Sequence, residues 1–208
     1  MLRIAVLVSG GGTNLQALID AQGRGEIRNG EIALVLSSRA GVFALERARK
    51  AEIKTSVIEK KDHPFPGEYD RALLEALKKE QIDLVVMAGF MTIIGKTLTD
   101  HYVNRMMNVH PALIPSFCGE GYYGLRVHQA ALEKGVKLTG ATVHFVNDIC
   151  DGGPIILQKA VEVWEGDTPE ALQKRVMEEA EWVLLPQAVS LFCEGKLKVE
   201  EGRVHILP

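Results

Sequence analysis

Asn108 and His110 stand two residues apart at the end of the apolar run Met106-Met107-Asn108-Val109-His110, and Pro111 follows directly. On a strand, residues i and i+2 share a face, so an amide and an imidazole would lie side by side. Pro111 removes a backbone donor and biases His110 towards extended geometry, which predicts that the strand stops there. A fixed N–H donor beside a titratable ring suits acyl transfer, where an oxyanion forms while a proton moves. The candidate carboxylate partner is distant in sequence: Asp151, in the turn-forming stretch Cys150-Asp151-Gly152-Gly153-Pro154. A histidine at a strand end is by default a hydrogen-bonded structural residue, so the rest of the chain has to decide between the two readings.

A second chemistry-bearing stretch is Ser9-Gly10-Gly11-Gly12-Thr13-Asn14, between an apolar strand over residues 3–8 and a helical pattern from Leu15. Glycines let backbone N–H groups approach an anion, and a helix N-terminus supplies partial positive charge. A dinucleotide fingerprint would need a third spaced glycine where Leu15 stands, and the Walker lysine is missing. Phosphate is the better reading of this turn, a plain tight turn the alternative.

The elements that must position these residues alternate. Strands are predicted over 32–36, 55–58, 84–88 and 106–109, with helices over 43–51, 69–79 and 96–102 between them. This βαβ rhythm specifies an α/β fold in one domain, a doubly wound, mostly parallel sheet flanked by helices. Ligands bind outside the carboxyl ends of such strands, where Asn108 and His110 fall. Met91, Ile93 and Ile94, just past the strand at 84–88, are either core or a slot for a flat ring. Residues 115–125, rich in glycine and aromatics, read as a lid or a surface excursion. A helix is expected over 126–134 with Gly135 as its C-cap. Strands follow over 139–147 and 155–163, the first with Thr142, His144 and Val146 on one face. Thr168 and Pro169 open one long helix towards Cys193, with Pro186 inside it. A small hairpin through Gly202 ends the chain.

Composition excludes several classes. The 208 residues carry 24 Lys and Arg against 27 Asp and Glu, a net charge of −3, so bulk attraction for nucleic acid is not expected. A mean hydropathy of +0.05 fits a globular domain. No apolar stretch is long enough to cross a bilayer, and the N-terminal apolar run leads into glycines as a first strand rather than a signal peptide. The three cysteines, Cys118, Cys150 and Cys193, lack paired ligand spacing, which points to a reducing, cytoplasmic setting and away from zinc or disulfides.

Five segments carry a resemblance across essentially the whole chain. They are Val8-Ser9-Gly10-Gly11-Gly12-Thr13-Asn14-Leu15-Gln16, Met87-Ala88-Gly89-Phe90-Met91, Asn108-Val109-His110-Pro111-Ala112-Leu113-Ile114-Pro115, Gly140-Ala141-Thr142-Val143-His144-Phe145-Val146 and Asp151-Gly152-Gly153-Pro154-Ile155-Ile156. Together they resemble the folate-dependent phosphoribosylglycinamide formyltransferases. The Asn-x-His-Pro segment with a downstream Asp-Gly-Gly-Pro marks folate formyltransferases as a group, and the glycine-rich start and chain length narrow it to this branch.

The resemblance implies transfer of formyl from 10-formyltetrahydrofolate, as co-substrate, to the amino group of glycinamide ribonucleotide in purine biosynthesis, with no metal. Asn108, His110 and Asp151 match the family's catalytic trio, and His144 a supporting histidine that lines the site. Gly12, Thr13 and Asn14 match the phosphate-holding positions and Glu181 the glutamate that binds the ribonucleotide. Met91, Thr92, Ile93 and Ile94, with Asn147, Asp148, Ile149, Cys150 and Asp151, match the segments that clasp the pterin, and Asn108 also belongs to that set. Residues 1–100 would then form a phosphate-binding half, and residues 101–208 a folate-binding and catalytic half. Asp151 close to His110 would raise the imidazole pKa by charge pairing. The implied protein is a monomer or homodimer with small-molecule partners. Thr92 departs from the arginine common in the family, the loop after Pro115 is longer than usual with Cys118 near a customary proline, and the stretch before Pro186 reads as one residue longer.

The competing readings are a formyltetrahydrofolate hydrolase, a methionyl-tRNA formyltransferase and a non-catalytic nucleotide-binding α/β module. The tRNA enzyme resembles a longer chain with a C-terminal RNA-binding domain, and the hydrolase usually carries an N-terminal regulatory one. A pure binding module has no need for Asn108, His110 and Asp151 to meet.

Overall fold

Strand β1 (Leu2–Val8) shows how the central sheet is covered. Ile4, Val6 and Val8 belong to one buried cluster, Ala5 and Leu7 to another, and all five are fully buried. A strand with apolar side chains pointing both ways needs helices on both faces. The structure is a computed structural model and describes residues 1–208.

After β1 come α1 (Thr13–Gly23), β2 (Gly30–Ser37), α2 (Phe43–Lys50), β3 (Lys54–Val57), a 3-10 turn at Lys60–Asp62, α3 (Glu68–Lys79), β4 (Leu84–Met87), α4 (Lys96–His101) and β5 (Met106–His110). The second half adds α5 (Leu125–Lys134), β6 (Leu138–Phe145), β7 (Ile155–Glu162), α6 (Pro169–Val176), α7 (Trp182–Cys193) and a hairpin of β8 (Leu197–Glu200) and β9 (Arg203–Ile206). The seven strands lie in the order β3-β2-β1-β4-β5-β6-β7. Pairing is parallel from β3 to β5, and β6 runs antiparallel to both its neighbours. The strand order reverses between β1 and β4, which is where an open α/β sheet leaves a crevice.

Helices α1, α2, α6 and α7 cover one face, with Leu15, Leu18, Leu45, Leu172, Leu185 and Ala188 in the same cluster as Ile4 and Val6. On the other face α3 and α4 contribute Leu73, Leu77 and Leu98. Leu73 and Leu77 are one helical turn apart and fully buried. Each is worth about 1.5–3 kcal/mol of burial.

The long C-terminal helix of the sequence reading is interrupted. Thr168 caps α6 as expected, its Oγ1 accepting the Ala171 N–H at 3.2 Å with Pro169 in the first turn. Residues Met177–Glu181 then form a π turn, in which the Trp182 N–H donates to the Met177 carbonyl five residues back. A π turn holds one residue more than an α turn, and such bulges gather at functional sites. Here it turns Ala180 and Glu181 into the protein, where both are buried.

Register brings the strand ends together. Leu7 pairs with Met87, and Met87 with Asn108. The carboxyl ends of β1, β4 and β5 therefore form one rim, with the glycine turn, residues 88–94 and His110 along it.

Candidate active site

Strands β5 and β6 place four polar side chains on one face of the sheet. Asn108 pairs with His144 and His110 with Thr142 across the antiparallel ladder. His110, Thr142 and His144 are buried. Such groups are tolerated in a core only when hydrogen-bonded, and the bonds are present. Asn108 Nδ2 donates to His144 Nε2 at 3.2 Å, and His144 Nδ1 lies 2.8 Å from the Phe145 carbonyl. A carbonyl only accepts, so the Nδ1 of His144 carries its hydrogen and Nε2 is free to accept from Asn108.

The turn between β6 and β7 folds back over these residues. Asp151 takes a left-handed φ of 53°, and Gly153 packs so closely on the Phe145 carbonyl that a Cβ there would collide with it. The glycines of the Asp-Gly-Gly-Pro stretch thus let the turn approach the end of β6. Asp151 Oδ2 comes to 3.5 Å from His110 Nδ1 and Oδ1 to 3.6 Å from His144 Nε2. The three side chains are 5%, 9% and 2% exposed for His110, Asp151 and His144. The amide, the imidazole and the carboxylate expected from sequence do meet, and His144 joins them.

The loop after Pro115 supplies two backbone contacts that no side-chain motif announces. The Phe117 carbonyl lies 2.8 Å from His110 Nε2, and the Gly119 N–H donates to Asp151 Oδ2 at 2.9 Å. His110 therefore carries its hydrogen on Nε2 and turns Nδ1 towards Asp151. Burial is the largest influence on the Asp151 carboxyl and pushes its pKa up, but the neighbouring His144 and His110 rings and the Gly119 N–H together hold it below the usual value. For His110, burial lowers the pKa, and the Asp151 charge with the Phe117 carbonyl offsets this only in part. Asp151 does raise the His110 pKa by charge pairing, as the sequence suggests, but burial outweighs it and the net shift is downward. Desolvation of the ring wins, because at 3.5 Å no direct hydrogen bond joins the pair.

Thr142 anchors the loop that follows His110. Its Oγ1 donates to the Ala112 carbonyl at 2.7 Å and accepts from the Ile114 N–H at 3.1 Å and Gln158 Nε2 at 3.0 Å. Its place on the His144 face is legible in sequence, whereas its partners come from the fold.

At the other end of the rim, Gly12 takes φ 73° just before α1, and a Cβ there would lie 2.6 Å from the Ala44 Cβ and 2.8 Å from its Cα. Gly10 and Gly11 have open space around them. Helix α1 starts at Thr13 with no side-chain cap and no acid in its first turn, so its first N–H groups stay available to an anion. Asn14 Nδ2 donates to Glu181 Oε2 at 2.7 Å, and the Asn14 Oδ1 is buried without a partner. Thr13 reaches the Met177 sulfur at 3.8 Å. The π turn thus brings Glu181 to the start of α1, beside the glycine turn. With Glu181 6% exposed, burial raises its carboxyl pKa to about 7, against the lowering effect of the Asn14 bond.

Ser9 ties the glycine turn to the segment after β4. Its Oγ lies 2.6 Å from Ser38 Oγ and accepts the Met91 N–H at 2.9 Å. Met91 and Ile93 are 49% and 76% exposed, so they are not core, while Ile94 packs under the sheet. Thr92 is half-buried between them. In the turn after β6, Ile149 is 63% exposed, Asp148 and Cys150 are exposed, and Asn147 Oδ1 holds the Ile149 N–H at 3.0 Å. Asp148 lies 3.9 Å from Lys96 Nζ, at the start of α4 just beyond residues 91–94. A surface concavity of about 660 Å³ lies elsewhere, between α7 and the loop after α1. The converging chemistry, not that volume, locates the site.

Comparison with known proteins identifies the family. The formyl transferase family matches residues 2–189. The phosphoribosylglycinamide formyltransferase of Escherichia coli K12 is 41% identical over 201 residues, covering 97% of this chain and 92% of that protein. The crystal structure of glycinamide ribonucleotide transformylase 1 from Symbiobacterium toebii superposes with a TM-score of 0.94 at 45% identity, covering 100% of this chain and 95% of that one. A formyltetrahydrofolate deformylase from Pseudomonas syringae shares the fold with a TM-score of 0.87, at 24% identity and with 66% of its chain covered. The chain belongs to the formyl transferase family, on its phosphoribosylglycinamide formyltransferase branch.

Proposed function

We propose that the enzyme transfers the formyl group of 10-formyltetrahydrofolate to the amino group of glycinamide ribonucleotide, giving formylglycinamide ribonucleotide for purine synthesis. The observation that carries this reading is the convergence of Asn108, His110 and Asp151 at the strand rim that also holds the glycine turn. A binding module would gain nothing from burying a carboxylate between two imidazoles.

The folate supplies a formyl carbon open to attack by an amine, and attack puts negative charge on the formyl oxygen. Asn108 uses one Nδ2 hydrogen on His144 and keeps the other for that oxygen. His110 Nε2–H is the second donor, and the Phe117 carbonyl that holds it must give way to substrate. One such donor is typically worth ~10²–10³ in rate. Asp151, kept ionised by its three partners, accepts the proton shed by the amine, directly or through water, and returns it to the departing folate nitrogen. Positioned proton transfer contributes ~10²–10⁴. His110 enters neutral; when the amine proton held by Asp151 is shared with the facing Nδ1, the ring becomes positive beside the carboxylate, and the same proton leaves through Asp151 to the folate nitrogen.

In this reading Gly12, Thr13 and Asn14 hold the ribonucleotide phosphate and Glu181 its neighbouring part. Met91, Thr92, Ile93 and Ile94 on one side, and Asn147, Asp148, Ile149 and Cys150 on the other, clasp the pterin. Exposed Met91, Ile93 and Ile149 supply apolar surface for a flat ring. Residues 1–100 supply the phosphate turn and one side of the pterin clasp, and residues 101–208 the other side and the chemistry, with Glu181 reaching back to Asn14. Three free cysteines fit a cytoplasmic enzyme. The test is incubation with both substrates, following folate absorbance against a control without the ribonucleotide. Loss of formyl only when the ribonucleotide is present supports the proposal, and equal loss without it makes the protein a hydrolase.

A further inference from the structure

The glycine turn cradles an anion only if its carbonyls point elsewhere, because an inward carbonyl would repel a phosphate. Each of the three is tied off. The Gly12 carbonyl accepts the Gln16 N–H of α1 at 2.9 Å. The Gly10 carbonyl accepts the Ala44 N–H, at the start of α2, at 3.1 Å. The Gly11 carbonyl accepts Arg47 Nε at 2.9 Å. Two of the three anchors therefore come from α2, which contributes no residue to the substrate contacts assigned above.

Arg47 is held for this task. Its Nη1 donates to Gln16 Oε1 at 2.9 Å, and its guanidinium lies 4.8 Å from the centre of the Phe43 ring. One planar group thus joins α2 to the turn and to α1, a fork that a lysine cannot reproduce. The missing Cβ of Gly12 lets α2 come this close, since Ala44 and the Arg47 stem fill that space. Arg47 also lines, with Thr13 and Gln16, a cavity of about 280 Å³ beside the start of α1. At the same helix start, the buried Oδ1 of Asn14 has no partner in the protein.

We propose that Arg47 is a positioning residue for the ribonucleotide phosphate: it turns the Gly11 carbonyl away from the anion and sets a positive charge behind the turn. This rests on the reading of residues 12–14 as the phosphate site. Arg47 does not touch the reacting atoms, which lie at the β5–β6 end of the rim. Its loss should weaken capture of the phosphorylated substrate and leave the chemical step intact. Its charge should also make phosphate binding salt-dependent.

The test compares the full-length enzyme with Arg47→Met, which keeps the stem, and Arg47→Lys, which keeps the charge. Arg47→Met is expected to raise the KM for glycinamide ribonucleotide about tenfold or more, the loss of one charge-assisted hydrogen bond. Its kcat and its KM for the folate should stay within about twofold. Arg47→Lys should fall between the two proteins. Calorimetric binding of ribose 5-phosphate should weaken in parallel, with a flatter dependence on salt than in the wild type, and it needs no turnover. A ribonucleotide KM and a ribose 5-phosphate affinity both within twofold of wild type in a folded Arg47→Met protein overturn the proposal. Equal losses in both substrates' KM and in kcat also overturn it, since the residue would then be a general structural brace. Wild-type protein that binds ribose 5-phosphate but transfers no formyl would sink the proposed reaction and leave the role of Arg47 standing.

Discussion

Replacing Asp151 by asparagine keeps the shape of the side chain and removes its charge. In the structure that charge lies 3.5 Å from His110 Nδ1 and 3.6 Å from His144 Nε2, in a side chain 9% exposed. Unit charges 4 Å apart at an effective dielectric constant of 20 attract by about 4 kcal/mol. That gross figure sets a ceiling of ~10³ in rate for charge stabilisation of His110 alone. Removing the proton acceptor is worth ~10²–10⁴ by itself, and the two effects overlap because one group supplies both. The expected outcome is a fall in kcat of about 10³ with both KM values changed only a few-fold, measured by folate absorbance with the two substrates. The His110 imidazole, followed by NMR titration, should move further below its ordinary pKa, because the Asp151 charge works against the burial that already lowers it. Asp151 is itself held below its ordinary pKa, so it contributes stability above the unfolded value that is lost as pH falls through the folded one. A modest drop in Tm at neutral pH is therefore expected and does not account for a thousand-fold loss. A kcat within tenfold of wild type, with an unmoved His110 titration, would refute the reasoning.

Three further outcomes follow from the geometry. Gly12→Val should unfold at lower temperature, because its Cβ would meet Ala44 and its φ is left-handed, whereas Gly11→Ala should match the wild-type Tm and weaken ribonucleotide binding; thermal melts and calorimetry separate them. Glu181→Gln should lose ribonucleotide affinity yet gain stability above pH 7. The folded carboxyl titrates at about 7 against an ordinary 4.5, so its stabilising effect is lost as pH rises through that window, by up to about 3 kcal/mol, and denaturant titrations at pH 5 and pH 8 should show the difference only at the higher value. His128 on α5 is fully buried with both ring nitrogens unpaired, and burial, aided by His110, lowers its pKa to about 4. Its neutral ring contributes stability above pH 6.5 that is lost between 6.5 and 4, so His128→Leu should flatten that acid limb in pH-dependent melts.

Much of this was legible in residue order, and the reasons differ by element. The buried strands β1 and β4 read clearly because both their faces are apolar, β5 because its short run stops at Pro111, and Thr168 with Pro169 announces α6 through capping chemistry alone. Asn108, His110 and Asp151 could be named because an amide, an imidazole and a carboxylate are visible as residue types. The contacts of Phe117 and Gly119 could not, since a carbonyl and an N–H belong to every residue and only the fold selects which ones arrive. The π turn is silent for a related reason: Met177-Glu178-Glu179-Ala180-Glu181 is good helix sequence, and its widening shows only against tertiary packing. Gly12 reads as room for a ligand, but in the structure it is also room for α2. The sign of the His110 shift needed burial, a property that sequence gives only on average.

Labelling the formyl carbon of 10-formyltetrahydrofolate and following it by NMR in the presence of glycinamide ribonucleotide tests the central claim most directly. The label should appear on the ribonucleotide's amide with wild-type protein and stay on the folate with His110→Ala. Label released as formate by the wild type, or reaching the ribonucleotide at an undiminished rate with His110→Ala, would contradict the account.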